Sequence, residues 1–128
     1  MRLRRGTTLL ECGVAAVIVA MLMGIAMQFF AAVGKQRQAQ RCRAAALDDA
    51  SAALERLAIE PWESLTAAAL EKTPWTGPAE GLPDGRREVA VEPAGSPESK
   101  QLTVTVHWAP HRGQAESLRL VAWRSRLP

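Results

Sequence analysis

Cysteine, histidine and aromatic residues are all scarce in this chain, and between Cys12 and Val33 charge is missing altogether. Each shortage removes a class of function. The 2 histidines, His107 and His111, straddle a Pro-containing turn, and no further cluster of Cys, His or carboxylates supports them. Metal sites need several convergent ligands, so none is predicted. No nucleophile stands beside a base, so no catalytic residue and no cofactor is expected, and the chain reads as a non-enzyme. Aromatic residues make up 5% of the sequence, and the basic residues behind its net charge of +3 are scattered: Arg2, Arg4 and Arg5, then Lys35 to Arg43, then Arg86, Arg87 and the tail. Without an aromatic-interleaved basic face or a reading motif, nucleic acid is not expected as a direct partner. The 2 cysteines, Cys12 and Cys42, fall on one predicted helix. At about 1.5 Å per residue they stand roughly 45 Å apart, whereas a disulfide needs Cα atoms within about 7 Å. Both are read as small apolar side chains on a helix face, with an intermolecular contact at Cys42 as the alternative. The length of 128 residues gives room for one small domain and an appendage, not for a large enzyme with a deep cleft.

The uncharged tract is what the chain has in abundance. From Cys12 to Val33 the only strongly polar side chain is Gln28, and these 22 residues match the roughly 20 that an α-helix needs to cross a hydrocarbon core. A buried core helix of that length would need protein on every side, which the rest of the chain is too short to supply. A cleaved signal peptide ending at Ala32-Val33-Gly34 is the rival, but its apolar region would usually run only about 7 to 15 residues. Arg2, Arg4 and Arg5 favour a cytoplasmic N-terminus, while Lys35, Arg37, Arg41 and Arg43 on the far flank nearly balance them. Gln36 to Leu57 holds no Pro or Gly, and Ala39, Cys42, Ala46, Ala50, Ala53, Leu54 and Leu57 recur at helical spacing. The helix is therefore predicted to continue as one rod until Pro61 stops it.

One side chain departs from a plain anchor. Glu11 sits at the edge of the apolar run, where a carboxylate facing hydrocarbon costs about 2.5 to 3.5 kcal/mol unless it is interfacial or paired. The stretch Arg4-Arg5-Gly6-Thr7-Thr8-Leu9-Leu10-Glu11 resembles the processing site of type IV prepilins and type II secretion pseudopilins: a short basic leader, Gly, a variable residue, Thr, two aliphatics and Glu. The resemblance implies that a prepilin peptidase cuts between Gly6 and Thr7 and methylates the Thr7 amine, and that Glu11 is the fifth mature residue, an assembly residue. A new positive terminus on one subunit would then neutralise Glu11 on a neighbour, and a buried charge that finds a partner in only one register selects that register. The first mature residue is Thr7 where the family usually has Phe or Met. Gln28 stands where many major pilins carry Pro, which points to a minor subunit.

The C-terminal half reads as irregular structure over residues 61 to 85, punctuated by Pro and Gly, with one short helix between Glu63 and Glu71 around Leu65 and Leu70. Trp62 and Trp75 are predicted to cover the core. Three strands follow: Glu88 to Glu92, Leu102 to Trp108, and Ser117 to Trp123, the last with a phase change near Leu120 and Val121 that a bulge would explain. Pro93 to Ser99 and Ala109 to Gly113 are predicted as their connections. A meander of this kind can lay its apolar face on the helix stripe. The predicted fold class is α+β and pilin-like: a long N-terminal helix on a small antiparallel sheet of about three strands. Pro61-Trp62 after the helix and the Val104-x-Val106-x-Trp108 strand resemble the I-type minor pseudopilins and their minor-pilin relatives.

Taken with that resemblance, residues 1–6 are expected to be a cleaved leader, 7–34 a transmembrane and filament-core helix, 35–60 its amphipathic continuation, and 61–128 a small periplasmic α+β domain. The expected partners are prepilin peptidase, other pilins or pseudopilins through the N-terminal helix, and the bacterial inner membrane, crossed once. The alternative is a single-pass membrane protein that displays a binding module and is not processed, with Glu11 incidental.

Overall fold

A computed structural model describes residues 5–72, 74–111 and 113–126. Residues 1–4 of the expected leader and Arg112 of the expected turn lie outside the described residues, as do the side chains of Arg5, Thr7 and His111. One α-helix, α1, runs through Arg5–Ile59. It ends two residues before Pro61, whose φ of −57° and ψ of 142° lead the chain out of helical geometry and into a 3-10 turn, Trp62–Ser64. Residues up to Gln38 form one unit and residues from Ala39 onward a second. The described part of the first unit is helix, and the second contains a hydrophobic core.

In the second unit the last part of α1 packs on a four-stranded antiparallel sheet of order β1-β2-β3-β4. Its strands are β1 Gly77–Pro78, β2 Arg86–Ala94, β3 Ser96–His111 and β4 Gln114–Ser125. The helix contributes mostly small side chains: Ala46 and Ala50 are fully buried, with Cys42, Ala53 and Leu57 completing the face. The bulk comes from the sheet, where Val89, Leu102, Val104, Val106 and Trp108 are buried against them. Small residues on the helix are thus matched by large ones on the sheet, the pairing by which facing layers interdigitate. Leu65 and Leu70, from the connector between helix and sheet, close the core.

All four apolar members of the alternation expected of Leu102 to Trp108 are buried, and of the polar members between them Thr103 is buried as well. Three expectations need correction. The sheet has four strands, because Gly77 and Pro78 pair with Arg87 and Arg86 inside the region expected to be irregular. No phase change occurs near Leu120 and Val121: the β3–β4 register is unbroken from Ser99↔Ser125 to Trp108↔Glu116. Period 2 therefore puts Leu118, Leu120, Ala122 and Arg124 on the helix side and Val121 and Trp123 on the other, leaving Trp123 70% exposed. The irregularities lie instead at Pro93/Ala94 and between Trp108 and His111, around Pro110, where proline cannot donate to the ladder. The helix expected between Glu63 and Glu71 is divided into the 3-10 turn and a single helical turn, α2 Ala67–Leu70, by Thr66, which is extended at φ −117° and ψ 150°.

The hairpins also reach further than expected. Strand pairing runs to Ala94 and resumes at Ser96 across Gly95, whose φ of +71° is a left-handed conformation that suits glycine. Segments expected to be connections are thus largely strand.

Candidate functional site: the apolar surface beside Glu11

The three residues singled out by the motif lie at the start of α1. Gly6, Thr7 and Glu11 are all within its helical span. Glu11 is exposed and, among the described residues, has no ion-pair partner. It borders a continuous apolar surface made by Leu10, Val14, Ala15 and Ile18. Helical geometry explains the grouping, since residues three and four apart share a face.

The surface extends well beyond Glu11. Leu10 is 73% exposed, Met21 66%, Met27 77% and Phe30 72%. The most apolar part of the helix is entirely unburied within the protein, and it is long and apolar enough to cross a membrane. Large exposed apolar areas on a protein mark a lipid or protein interface, and this one has the length for the former. Gly13, Gly24 and Gly34 have open space around them, so at each of them a neighbouring backbone can approach closely.

The second unit carries charge of a different kind. Three cations, one from each long strand, reach across to the helix and its connector. Arg87 on β2 donates from Nη1 to Asp49 Oδ1 at 2.8 Å, from Nε to the Trp75 carbonyl at 2.9 Å, and from Nη2 to the Pro74 carbonyl at 2.6 Å. Lys100 on β3 donates to the carbonyls of Trp62 at 3.0 Å and Leu65 at 2.8 Å, and its Nζ lies 4.4 Å from the centre of the Trp62 ring. Arg124 on β4 donates to the carbonyls of Leu57 at 3.0 Å and Glu60 at 2.6 Å, and so satisfies orphan acceptors where α1 ends. These side chains hold the connector in place.

In the sequence Arg87 and the basic tail read as scattered charge, and Lys100 carries no separate expectation. Their phase was the available signal. Arg87 is in step with Val89 and Val91, Lys100 with Leu102 and Val104, and Arg124 with Leu120 and Ala122, so each occupies a core-facing position on its strand. A cation there must reach past apolar neighbours to find acceptors.

The rest of the sheet offers little for catalysis. His107 Nε2 lies 3.8 Å from a Glu88 carboxylate oxygen on the outer face, where both side chains are about half exposed. A shallow groove of about 240 Å³ beside them is bordered by Glu71, Thr76, Arg86 and Thr103, none of them paired as nucleophile and base. Among the described residues no group of His, Cys, Asp or Glu is arranged to hold a metal ion. Cys12 is exposed and Cys42 buried, and both are free. No protein-family profile, curated protein or solved structure matches the chain.

Proposed function

We propose that this chain is a minor pseudopilin or minor type IV pilin, a subunit that works by joining a periplasmic or surface filament for protein secretion or pilus biogenesis. In this reading a prepilin peptidase cuts between Gly6 and Thr7 and methylates the Thr7 amine. Residues 7–34 hold the chain in the bacterial inner membrane and later pack against other pilins or pseudopilins. The sheet domain lies in the periplasm.

The observation that carries the proposal is the coincidence of two features: the Gly6-Thr7-Thr8-Leu9-Leu10-Glu11 motif, and the long, wholly unburied apolar helix that begins with it. A membrane anchor needs the second and has no use for the first. An acid at the margin of an apolar surface is stabilised once a cation from outside the chain meets it, and the amine freed at Thr7 of an adjacent subunit has the required charge. The α+β layout supports the same reading, because a helix that spends one half on a sheet leaves its other half for assembly.

The test is mass spectrometry of the protein extracted from membranes containing a prepilin peptidase. The expected species begins at Thr7 and carries one added methyl group. A functional protein that keeps Met1, or that begins at Lys35, would overturn the proposal.

A further inference from the structure

Lys35, Arg37, Arg41 and Arg43 follow the apolar tract within nine residues, with no acid among them before Asp48. All four are exposed, and among the described residues none enters a salt bridge or donates a side-chain hydrogen bond. Their contrast with Arg87, Lys100 and Arg124, each satisfied within the protein, is sharp.

Their arrangement on the helix says what kind of counter-charge they suit. At about 100° per residue the four are spread around α1 with no gap wider than about 120°, over an axial length of about 12 Å. A protein partner meets one side of a helix and would select a stripe. Cys42 among them is buried against the sheet, and cations spread over the rest of the circumference match, at the end of a membrane-spanning tract, the layer of lipid headgroups.

The sign is also informative. If the N-terminus is cytoplasmic, these cations are on the translocated side, where a cluster of Lys and Arg opposes the insertion bias. Their presence there is explained by attraction to anionic lipid rather than by orientation. We infer that Lys35, Arg37, Arg41 and Arg43 form a collar that binds the headgroups of anionic phospholipids in the leaflet facing the sheet domain, enriching such lipids around the helix. This rests on residues 7–34 spanning the bilayer, as in the proposed function, but not on the filament.

The test uses the full-length protein in nanodiscs of equal parts phosphatidylcholine and phosphatidylglycerol, with the co-purifying lipids counted by native mass spectrometry. Phosphatidylglycerol is expected to exceed phosphatidylcholine in the bound set by roughly fivefold. The variant K35Q/R37Q/R41Q/R43Q is expected to bring the two lipids to parity, whereas the control R56Q/R126Q keeps the enrichment. Parity in the wild-type protein, or undiminished enrichment in the four-site variant, overturns the inference. A protein with an intact leader that still enriched phosphatidylglycerol would remove the filament reading and leave the collar standing.

Discussion

Lys100 and Arg124 stand directly opposite each other across β3 and β4, two like charges at a paired position on the helix-facing side of the sheet. Such a pair is destabilising unless each member has a better neighbour. Each does: four backbone carbonyls from Leu57 to Leu65 receive the two head groups. Mutual repulsion between two separately satisfied cations predicts an unusual coupling. Lys100→Met and Arg124→Met should each lose about 1 to 2 kcal/mol, reduced by the repulsion that each removes. The double variant should then lose about 0.2 to 1 kcal/mol more than the sum of the two. Urea unfolding followed by tryptophan fluorescence reads the cycle. A double variant less destabilised than the sum would contradict it.

Asp49 and Arg87 tie α1 to β2 through side chains only 20% and 16% exposed, and the second Asp49 oxygen is buried without a partner. Asp49→Ala leaves Arg87 with two carbonyl acceptors but no counter-charge. The expected loss is about 2 kcal/mol, seen as a lower urea midpoint. Exposed Arg126→Ala should shift stability by less than about 0.5 kcal/mol.

Gly85 closes the turn before β2 in close contact with the chain behind it. A Cβ there would lie 2.7 Å from the Ala79 carbonyl oxygen and 2.7 Å from Leu82 Cβ. Backbone cannot yield as a flexible side-chain end does, so Gly85→Ala should lower stability by about 1 to 3 kcal/mol. The substitution Gly13→Ala, in open space, should leave the midpoint of the sheet domain where it was.

Glu11→Ala should leave cleavage at Gly6 intact and impair co-assembly with other pilins or pseudopilins. Cleavage is read by the N-terminal mass and assembly by cross-linking to neighbouring subunits in membranes. Normal incorporation of the variant would take the assembly role away from Glu11.

Much of the architecture was readable because it depends on periodicity. The helix stripe from Cys42 to Leu57 and the alternation from Leu102 to Trp108 both follow from one face being dry, and both are buried as expected. The pairing of Gly77 with Arg87 was not readable, since two residues carry no period. β4 misled because apolar Val121 and Trp123 lie on the outer face while charged Arg124 lies on the inner one, which imitates a shift of phase. Hydropathy cannot separate a cation that snorkels to backbone acceptors from one that faces water. At the other end of the chain, Glu11 is conspicuous only because the residues around it are so uniformly apolar, and among the described residues it has no ion-pair partner.

The alanine face of α1 has a consequence for how the domain finds its alignment. Ala46 and Ala50 are one turn apart, so sliding the helix along the sheet by about 5.4 Å would put one methyl group where another had been. At these two positions shape alone distinguishes poorly between neighbouring settings, and the large buried Leu57 and the polar contacts must do so. Arg87 on Asp49 and Arg124 on the final carbonyls act as a latch at two heights along the helix, and both release if it slips by a turn. Hydrophobic contact glues helix to sheet, while charged side chains, one on a carboxylate and one on backbone carbonyls, help set the helix at a single notch.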